Sequence, residues 1–199
     1  MKLVLASGNP GKLREIGAIL APLSIEVVAQ STLGIPEAEE PHATFLENAL
    51  AKARHASRAA KLPALADDSG LCVDALGGAP GVDSAHYAGR EGDREQRDAR
   101  NNKKLLHELG ERRAAHYVCV MVLVRREDDP QPLIAEGIWR GEIARAPRGS
   151  NGFGYDPLFH IREFDKTAAE LVSDHKNRVS HRGIALQKLL GLLRESGLR

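Results

Sequence analysis

Two adjacent acids, Asp67 and Asp68, follow the apolar run LPALA and precede a turn-forming Ser-Gly pair. Because neighbouring residues on an extended strand point to opposite faces, we expect the two carboxylates to have different surroundings. Together with Glu37, Glu39 and Glu40 from an acidic loop, they could bind Mg²⁺ through oxygen ligands and leave one carboxylate to activate water. The alternatives are an Asx-turn, in which an aspartate bonds nearby backbone N–H groups, and an ordinary solvated acidic surface.

The segment SGNPGK, residues 7–12, lies between an apolar run and a helical pattern. A turn between a strand and a helix presents backbone N–H groups at the positive end of the helix dipole, which favours an anion such as phosphate. Lys12 adds a positive charge. The spacing is not that of a Walker A loop, since only two residues separate Gly8 from Gly11 and Leu13 stands where Ser or Thr would bind magnesium. The same residues could instead build only a tight turn and a helix start.

A third candidate is the Gly-rich segment NGFGYDPLF, residues 151–159, with HKNRVSHRG at residues 175–183. Phe153 lies between glycines, where it could stack on a planar base or pack under its own loop. Four polar side chains could read the edge of a heterocycle: Asp156, Lys176, His181 and Arg182. A single histidine at a helix start is weak evidence for catalysis.

Composition and charge narrow the classes of protein. The chain has 199 residues, is 42% hydrophobic and carries a net charge of +1, so it can bury a core and has no basic field for nucleic acid. The N-terminal apolar run is too short for a signal peptide, and no stretch approaches the roughly 20 apolar residues of a membrane span. We therefore expect a cytoplasmic protein with no membrane partner. Cys72 and Cys119 lie in apolar segments, which favours buried reduced thiols over a disulfide or a metal site.

Alternating helical and strand patterns predict the elements that position these residues. Strands are expected at residues 2–7 and 25–30, and helical spacing covers residues 8–23, about 44–60, 93–109 and 180–195. LPALAD and LCVDAL predict two short strands on either side of a DDSG turn. AHYVCVMVLVRR and PLIAEGIWRGEI, separated by EDDPQ, predict an antiparallel hairpin, and residues 145–159 a long loop. The pattern indicates an α/β fold with a mixed sheet, which forms two lobes around a central substrate cleft.

Five segments in one order carry a wider resemblance: SGNPGKLREI, EEPHATFLENALAKARHA, ADDSGLCVDALGGAPG, GFGYDPLF and SHRG. Their order and intervals resemble the inosine triphosphate pyrophosphatase family, the dITP/XTP or non-canonical purine NTP pyrophosphatases, and its bacterial members in particular. The resemblance covers nearly the whole chain and implies a single domain over residues 1–199. It also implies a homodimer that uses Mg²⁺ to hydrolyse ITP, dITP and XTP to the nucleoside monophosphate and pyrophosphate.

The resemblance further implies a role for each motif. Asp68 matches the general base and a metal ligand, Glu40 matches a second metal position, and Asp67 is expected to be a supporting carboxylate. The implied phosphate contacts are Ser7, Gly8, Asn9, Pro10, Gly11, Lys12, Lys52 and Ser69. The implied contacts to the purine base are Phe153, Gly154, Tyr155, Asp156, Lys176, His181 and Arg182.

Some positions depart from the family pattern. After GGAPG the chain has Val82 and Asp83 where an aromatic is common, His86 stands where an Arg is usual, and His175 stands where an acid is common. Two other functions remain open. A pyrophosphatase acting on pyrimidine or modified standard nucleotides would prefer UTP or CTP to ITP. A nucleotide-binding module would bind ITP in the presence of Mg²⁺ without releasing pyrophosphate, although the intact carboxylates make this reading the weaker one.

Overall fold

The structure is a computed structural model, and it describes residues 2–21 and 25–197. In this part of the chain, the helices are α1 (Pro10–Leu20), α2 (Phe45–Ala60), α3 (Arg94–Glu108), α4 (Ser173–Val179) and α5 (His181–Glu195). The strands are β1 (Lys2–Leu5), β2 (Glu26–Ala29), β3 (Ala64–Val73), β4 (Ala114–Val124), β5 (Leu133–Ile143), β6 (Phe159–Ile161) and β7 (Lys166–Thr167).

The seven strands form one sheet in the order β2-β1-β3-β4-β5-β6-β7. Strand β1 pairs in parallel with β2 and with β3. At the other end of the order, β6 pairs antiparallel with both β5 and β7. The sheet is therefore mixed, which confirms the predicted α/β class.

The chain divides into two compact units. The first unit comprises Met1–Asp68, Cys119–Gly137 and Ser180–Arg199, and the second comprises Ser69–Val118 and Ile138–Val179. Each unit has its own apolar cluster. The prediction of one domain over residues 1–199, with a cleft between two lobes, stays a prediction.

In the first unit, aliphatic side chains of β1, β3 and β4 pack with α1 and α5. Leu3, Leu5 and Leu65 are at most 1% exposed, as short buried strands rich in apolar residues require. Gly137, in β5, lies against the start of α5, and a Cβ at this position would run into the backbone carbonyl of His181 and the backbone nitrogen of Ala185. The absence of a side chain therefore permits this close approach of strand and helix.

In the second unit, three aromatic rings lie at the centre of the apolar cluster. Phe159 packs against Tyr117 with ring centroids 4.6 Å apart and against Trp139 at 5.2 Å. The tilted arrangement of these rings is the favourable one for aromatic pairs.

The loop between β4 and β5 is held by one buried acid of the predicted EDDPQ turn. Asp129 is 0% exposed and accepts hydrogen bonds from the Arg125 guanidinium at 2.6 and 2.8 Å. It also accepts from the backbone N–H groups of Arg125 and Gln131 at 2.9 and 3.0 Å. The Arg125 hydrogen bonds hold the pKa of Asp129 well below its usual range, although burial acts in the opposite direction.

Most predicted elements are confirmed, and one is wrong. Helices α1, α2, α3 and α5 lie where the spacing placed them, apart from residues 22 and 23, which lie outside the described residues. Strands β4 and β5 are neighbours in the sheet, and residues 144–158 contain neither helix nor strand. The two short strands around a DDSG turn are instead one continuous strand, β3. Strands β6 and β7 and helix α4 were not predicted from the sequence.

The remaining structural expectations concern membranes and thiols. None of the helices in the described part of the chain has the length and apolar character to span a bilayer. Cys119 is buried, Cys72 is half-buried, and neither forms a disulfide. Burial raises the pKa of both thiols, so both stay protonated at neutral pH. The predicted full burial is confirmed for Cys119 and not for Cys72.

Candidate active site

The turn between β1 and α1 is built by its own polar groups. The Asn9 side-chain oxygen accepts from the N–H groups of Gly11 at 2.9 Å and Lys12 at 3.2 Å, and Pro10 is the first residue of the helix. The Ser7 hydroxyl accepts from the Asn9 N–H at 3.2 Å. The segment is thus a capped helix start, and an anion binding there would replace a neutral amide oxygen on these N–H groups. Its phosphate role stays a prediction.

Asp67 is the centre of a buried charge cluster in the first unit. Its Oδ2 atom lies 3.2 Å from Lys12 Nζ and accepts from Arg182 Nη2 at 3.1 Å. Arg182 is 2% exposed and also donates to Glu15. The Cys119 thiol lies 3.8 Å from the same Asp67 oxygen.

The charges around Asp67 decide its protonation state. Burial by itself would raise the pKa of this carboxyl, but the positive charges of Lys12 and Arg182 outweigh it and hold the pKa well below its usual range. Asp67 is therefore ionised at neutral pH. Its evident task is to hold two cations in place.

Asp68 faces a different set of partners. Lys52 Nζ lies 3.0 Å from Asp68 Oδ1 and 2.8 Å from Glu40 Oε1, so one ammonium group bridges the two acids. Asn48 donates to the other Asp68 oxygen at 3.3 Å. Burial raises the pKa of Asp68, the charges of Lys52 and Lys12 oppose this, and Glu40 adds to it; the net shift is upward.

The contrast between the two aspartates confirms that neighbouring positions on this strand have different surroundings. Asp68 has Lys52 and Asn48 as partners and Asp67 has Arg182, so both side chains bind groups that are distant in the chain. A pair of carboxyl groups whose pKa values are pushed apart is the usual arrangement for dividing acid–base work from charge compensation. Asp68 is the member of the pair suited to accept a proton.

Asn48 was missed in the sequence, although its spacing offered a signal. It lies one helical turn before Lys52 on α2, and both side chains reach Asp68. Its side chain also accepts from the His42 N–H at 3.0 Å and donates to the His42 carbonyl at 3.2 Å. Asn48 thereby fixes the loop that carries Glu40. Glu15 was missed in the same way, three residues after Lys12 on α1.

The donor set can be tested for its fit to a divalent metal. Oxygens of Asp68 and Glu40 converge on a single cationic nitrogen, and hard carboxylate oxygens are the ligands that Mg²⁺ prefers. In the described residues, no group of three or more His, Cys, Asp or Glu side chains is arranged to hold a metal. Two carboxylates nevertheless suit Mg²⁺, because this ion usually takes its other ligands from water and substrate phosphates. Glu37 instead lies beside Gly8 in the α1 turn.

The base-binding candidates form a separate group in the second unit. Asp156 Oδ2 accepts from Lys176 Nζ at 2.6 Å and from the Phe153 N–H at 2.9 Å. Gly152 has a φ of +76°, and a Cβ there would run into the Asp156 carboxylate. Glycine is therefore required at this position both for the backbone conformation and for the close approach of Asp156.

Phe153 is half-buried, and two cations lie over its ring. Lys176 Nζ is 5.0 Å and Arg94 Cζ is 4.7 Å from the centre of its ring. Both distances fall in the range of cation–π contacts. Nothing in the sequence marked Arg94, which lies on the charged helix α3.

Two further members of the predicted base segment anchor its loop. Tyr155 is 3% exposed and donates from its hydroxyl to the Ser84 carbonyl at 2.9 Å. Gly154 donates its N–H to Asp98 and accepts from Asn102 through its carbonyl, both at 2.9 Å. These bonds fix the loop on its own unit, while direct contacts of Tyr155 and Gly154 with a base stay predictions.

The structure thus groups the predicted residues by unit. The first unit holds Ser7, Gly8, Asn9, Pro10, Gly11, Lys12, Glu40, Lys52, Asp68, His181 and Arg182. The second holds Ser69, Phe153, Gly154, Tyr155, Asp156 and Lys176. Arg182, expected at the base, has its guanidinium on Asp67 and Glu15, and His181 is 5% exposed. His175, which departs from the family pattern, packs against Phe164 with ring centroids 4.7 Å apart.

The second unit also contains a cavity of about 440 Å³ that includes none of the predicted site residues. Three of its four arginines are engaged with protein acceptors, and two of these form ion pairs, Arg145 with Glu111 and Arg162 with Glu142. Arg113 donates to the backbone carbonyls of Ile143, the last residue of β5, and of Ala144. These pairings leave the charge clusters described above as the stronger candidate for chemistry.

Comparison with known proteins agrees with the resemblance seen in the sequence. Residues 3–192 match the model of the Ham1 family. A dITP/XTP pyrophosphatase of Ralstonia nicotianae is 63% identical over 195 residues, which cover 97% of this chain and 96% of the relative. The structure of a HAM1 protein from Coxiella burnetii superposes with a TM-score of 0.88 at 47% identity and covers 98% and 99% of the two chains. A nucleoside-triphosphatase / dITP/XTP pyrophosphatase from Mycobacterium abscessus gives a TM-score of 0.71 at 45% identity, with 96% and 99% covered. With its fold, its motifs and nearly its full length matched, this chain belongs to the Ham1 family.

Proposed function

We propose that this protein hydrolyses the non-canonical purine nucleoside triphosphates ITP, dITP and XTP to the monophosphate and pyrophosphate, and so keeps them out of DNA and RNA. The observation that supports this most is the arrangement of two adjacent buried carboxylates on separate cations. Asp67 compensates Lys12 and Arg182, whereas Asp68 lies with Lys52 and Glu40. Relatives that are named dITP/XTP pyrophosphatases match almost the whole chain.

Asp68 is the general base of the proposed reaction. It accepts a proton from a water molecule whose oxygen attacks the α-phosphorus, and the bond from this phosphorus to the bridging oxygen breaks to release pyrophosphate. A carboxylate with a raised pKa is better matched to this task than an ordinary one. Lys12 and Lys52, both next to the aspartates, supply positive charge for the triphosphate.

Nucleotide pyrophosphatases of this family generally depend on a divalent metal. We assign Mg²⁺ to this protein, with Asp68 and Glu40 as the residues that would hold it. When bound, Mg²⁺ would neutralise negative charge on the phosphates and on the leaving group.

Selection of the base is assigned to the second group of residues. Phe153 offers a ring face, Lys176 offers a donor for O6 of a 6-oxopurine, and Asp156 keeps Lys176 in place at 2.6 Å. An adenine amino group would leave a buried donor without an acceptor, at a cost of about 1 to 3 kcal/mol. Arg182 remains a second candidate donor, although it would have to act while bound to Asp67 and Glu15.

The proposal also includes a single cytoplasmic domain that works as a homodimer without a nucleic-acid or membrane partner. The test of the dimer is the molar mass in solution, measured by light scattering after size exclusion. A mass of twice 21.6 kDa supports it, and a mass of 21.6 kDa overturns it.

The reaction itself is tested by pyrophosphate release from ITP, XTP, dITP, GTP, ATP and UTP with Mg²⁺, and with a chelator as control. Turnover of the first three alone, abolished by the chelator, is the expected result. Preference for UTP would identify a pyrimidine nucleotide pyrophosphatase instead. Binding of ITP without any pyrophosphate release would reduce the protein to a nucleotide-binding module.

A further inference from the structure

Lys52 occupies the position between the two carboxylates that are proposed to hold the metal. Its Nζ atom lies 2.8 Å from Glu40 and 3.0 Å from Asp68, and the residue is only 8% exposed. Lys52 thus forms two charge-assisted hydrogen bonds, one to each carboxylate. The site therefore already contains one cation.

A divalent ion bound by the same carboxylates would meet this ammonium group at close range. At the reduced dielectric of a buried site, repulsion between like charges is several times stronger than in water. Breaking the Lys52 pairs without a new partner would also leave a buried cation uncompensated, which is strongly unfavourable. The metal alone should therefore bind weakly.

A nucleoside triphosphate changes this balance, because its phosphates offer Lys52 new negative partners. Glu40 is 46% exposed at its side chain, so packing does not hold it against Lys52, and the rotatable bonds of the lysine side chain allow its ammonium group to reach a new partner. Once Lys52 pairs with phosphate oxygens, both carboxylates become available to the metal.

We propose that Lys52 is a counter-ion that makes metal binding depend on the nucleotide: it holds Asp68 and Glu40 in the absence of substrate and releases them when phosphates arrive. The inference rests on the proposed function only for the two metal ligands. Because binding free energies are reciprocal, the metal and the nucleotide must strengthen each other's binding by the same factor.

The test is direct titration with Mn²⁺ at pH 8, without nucleotide, followed by the electron paramagnetic resonance signal of the unbound ion. We expect Lys52→Met to bind Mn²⁺ at least about tenfold more tightly than the unmodified protein. Lys12→Met is the matched control, since it removes a neighbouring lysine that pairs with Asp67 and does not bridge Asp68 to Glu40. Equal Mn²⁺ affinities for Lys52→Met and the unmodified protein, or equal tightening in both variants, would overturn the inference.

A second measurement uses the unmodified protein and does not depend on the variant folding. Its Mn²⁺ affinity is compared with and without a non-hydrolysable α,β-methylene analogue of ITP, after correction for Mn²⁺ bound by the analogue alone. The expected gain is again about tenfold or more. The same affinity in both conditions would overturn the role of Lys52.

Pyrophosphate release from ITP, measured on the same preparations, separates this inference from the proposed function. If the protein turns over ITP but its Mn²⁺ affinity is the same in Lys52→Met and the same with and without the analogue, the inference is overturned and the proposed function stands. If Lys52→Met binds Mn²⁺ more tightly but the unmodified protein does not turn over ITP, the proposed function is overturned. Lys52 then remains a residue that weakens metal binding at Asp68 and Glu40.

Discussion

The carboxylates of Asp67 and Asp68 are adjacent in strand β3, yet they share no hydrogen-bonded cation among the contacts described. Asp67 binds Lys12 and Arg182, and Asp68 binds Lys52. The two acids therefore differ in protonation behaviour although they differ by one position in the chain. We therefore expect a substitution of Asp68 to lower the catalytic rate and a substitution of Asp67 to lower the stability of the fold.

Asp68→Asn should abolish turnover and largely preserve the fold, because it removes the proton acceptor and keeps the shape of the side chain. Loss of a positioned general base typically lowers the rate by about 10² to 10⁴-fold. Pyrophosphate release from ITP measures the effect, and circular dichroism checks the fold. Retained activity with an unchanged spectrum would remove Asp68 from its assigned role.

Asp67→Asn should lower the free energy of unfolding by about 3 kcal/mol or more, because it leaves Lys12 and Arg182 buried with less compensating charge. Urea denaturation measures the loss. Asp128→Asn is the control, since Asp128 pairs with Arg126 while 76% exposed and should change stability by less than about 1 kcal/mol. Similar small losses in both variants would contradict a structural role for the Asp67 charge.

Asp129→Asn should show the pH dependence expected of a structural carboxylate that binds an arginine and two backbone N–H groups. Because the pKa of Asp129 is lower in the folded protein than in the unfolded chain, its ionised form stabilises the fold at neutral pH. This contribution is lost as the pH falls below the ordinary carboxyl value of about 3.9. Melting temperatures of the variant and the unmodified protein should therefore differ at pH 7 and converge in acid. A difference that stays constant with pH would show that shape, not charge, matters at Asp129.

Phe153→Ala should raise KM for ITP, because stacking of a base on an aromatic ring is worth about 1 to 3 kcal/mol. Phe164→Ala is the comparison, since this ring packs against His175 and lies outside the predicted base segment. Steady-state kinetics on both variants decide the matter. An unchanged KM in Phe153→Ala would assign the ring to packing against Lys176 and Arg94.

Gly137→Ala should destabilise the protein by about 1 to 3 kcal/mol, because the added carbon meets the backbone of α5 and not the end of a flexible side chain. Gly191→Ala provides the opposite case. A Cβ at Gly191, within α5, has nothing within 4 Å, so the substitution should stabilise the helix by up to about 1 kcal/mol. Thermal unfolding of both variants tests the pair, and equal shifts would contradict the close approach of β5 and α5.

The sequence predicted those elements whose local signals agree with their tertiary setting. Helix α1 begins where Asn9 and Pro10 indicated, and α5 begins after the N-cap Ser180. The predicted turn at DDSG was wrong. Asp, Ser and Gly favour turns locally, but buried cations on other elements bind the two aspartates of this extended strand. Local composition cannot reveal partners that are distant in the chain.

The same limit applies to the site. The acids and lysines were found through their motifs, but their pairing was not, since Asp67 and Arg182 are 115 positions apart. Asn48 and Glu15 could have been found by asking which polar residues share a helix face with Lys52 and Lys12. Arg94 offered no such signal, because it is one charge among many on α3.

Because β3 is one continuous strand, Asp67 and Asp68 point to opposite faces of the sheet. In a strand, a shift of one residue moves every side chain to the other face of the sheet. An insertion or deletion of one residue between Ala64 and Ala66 would therefore bring Asp68 toward Arg182 or Asp67 toward Lys52, and the two identical acids would exchange tasks or lose them. The length of this short apolar segment is thus as important to the proposed active site as the carboxylates that follow it.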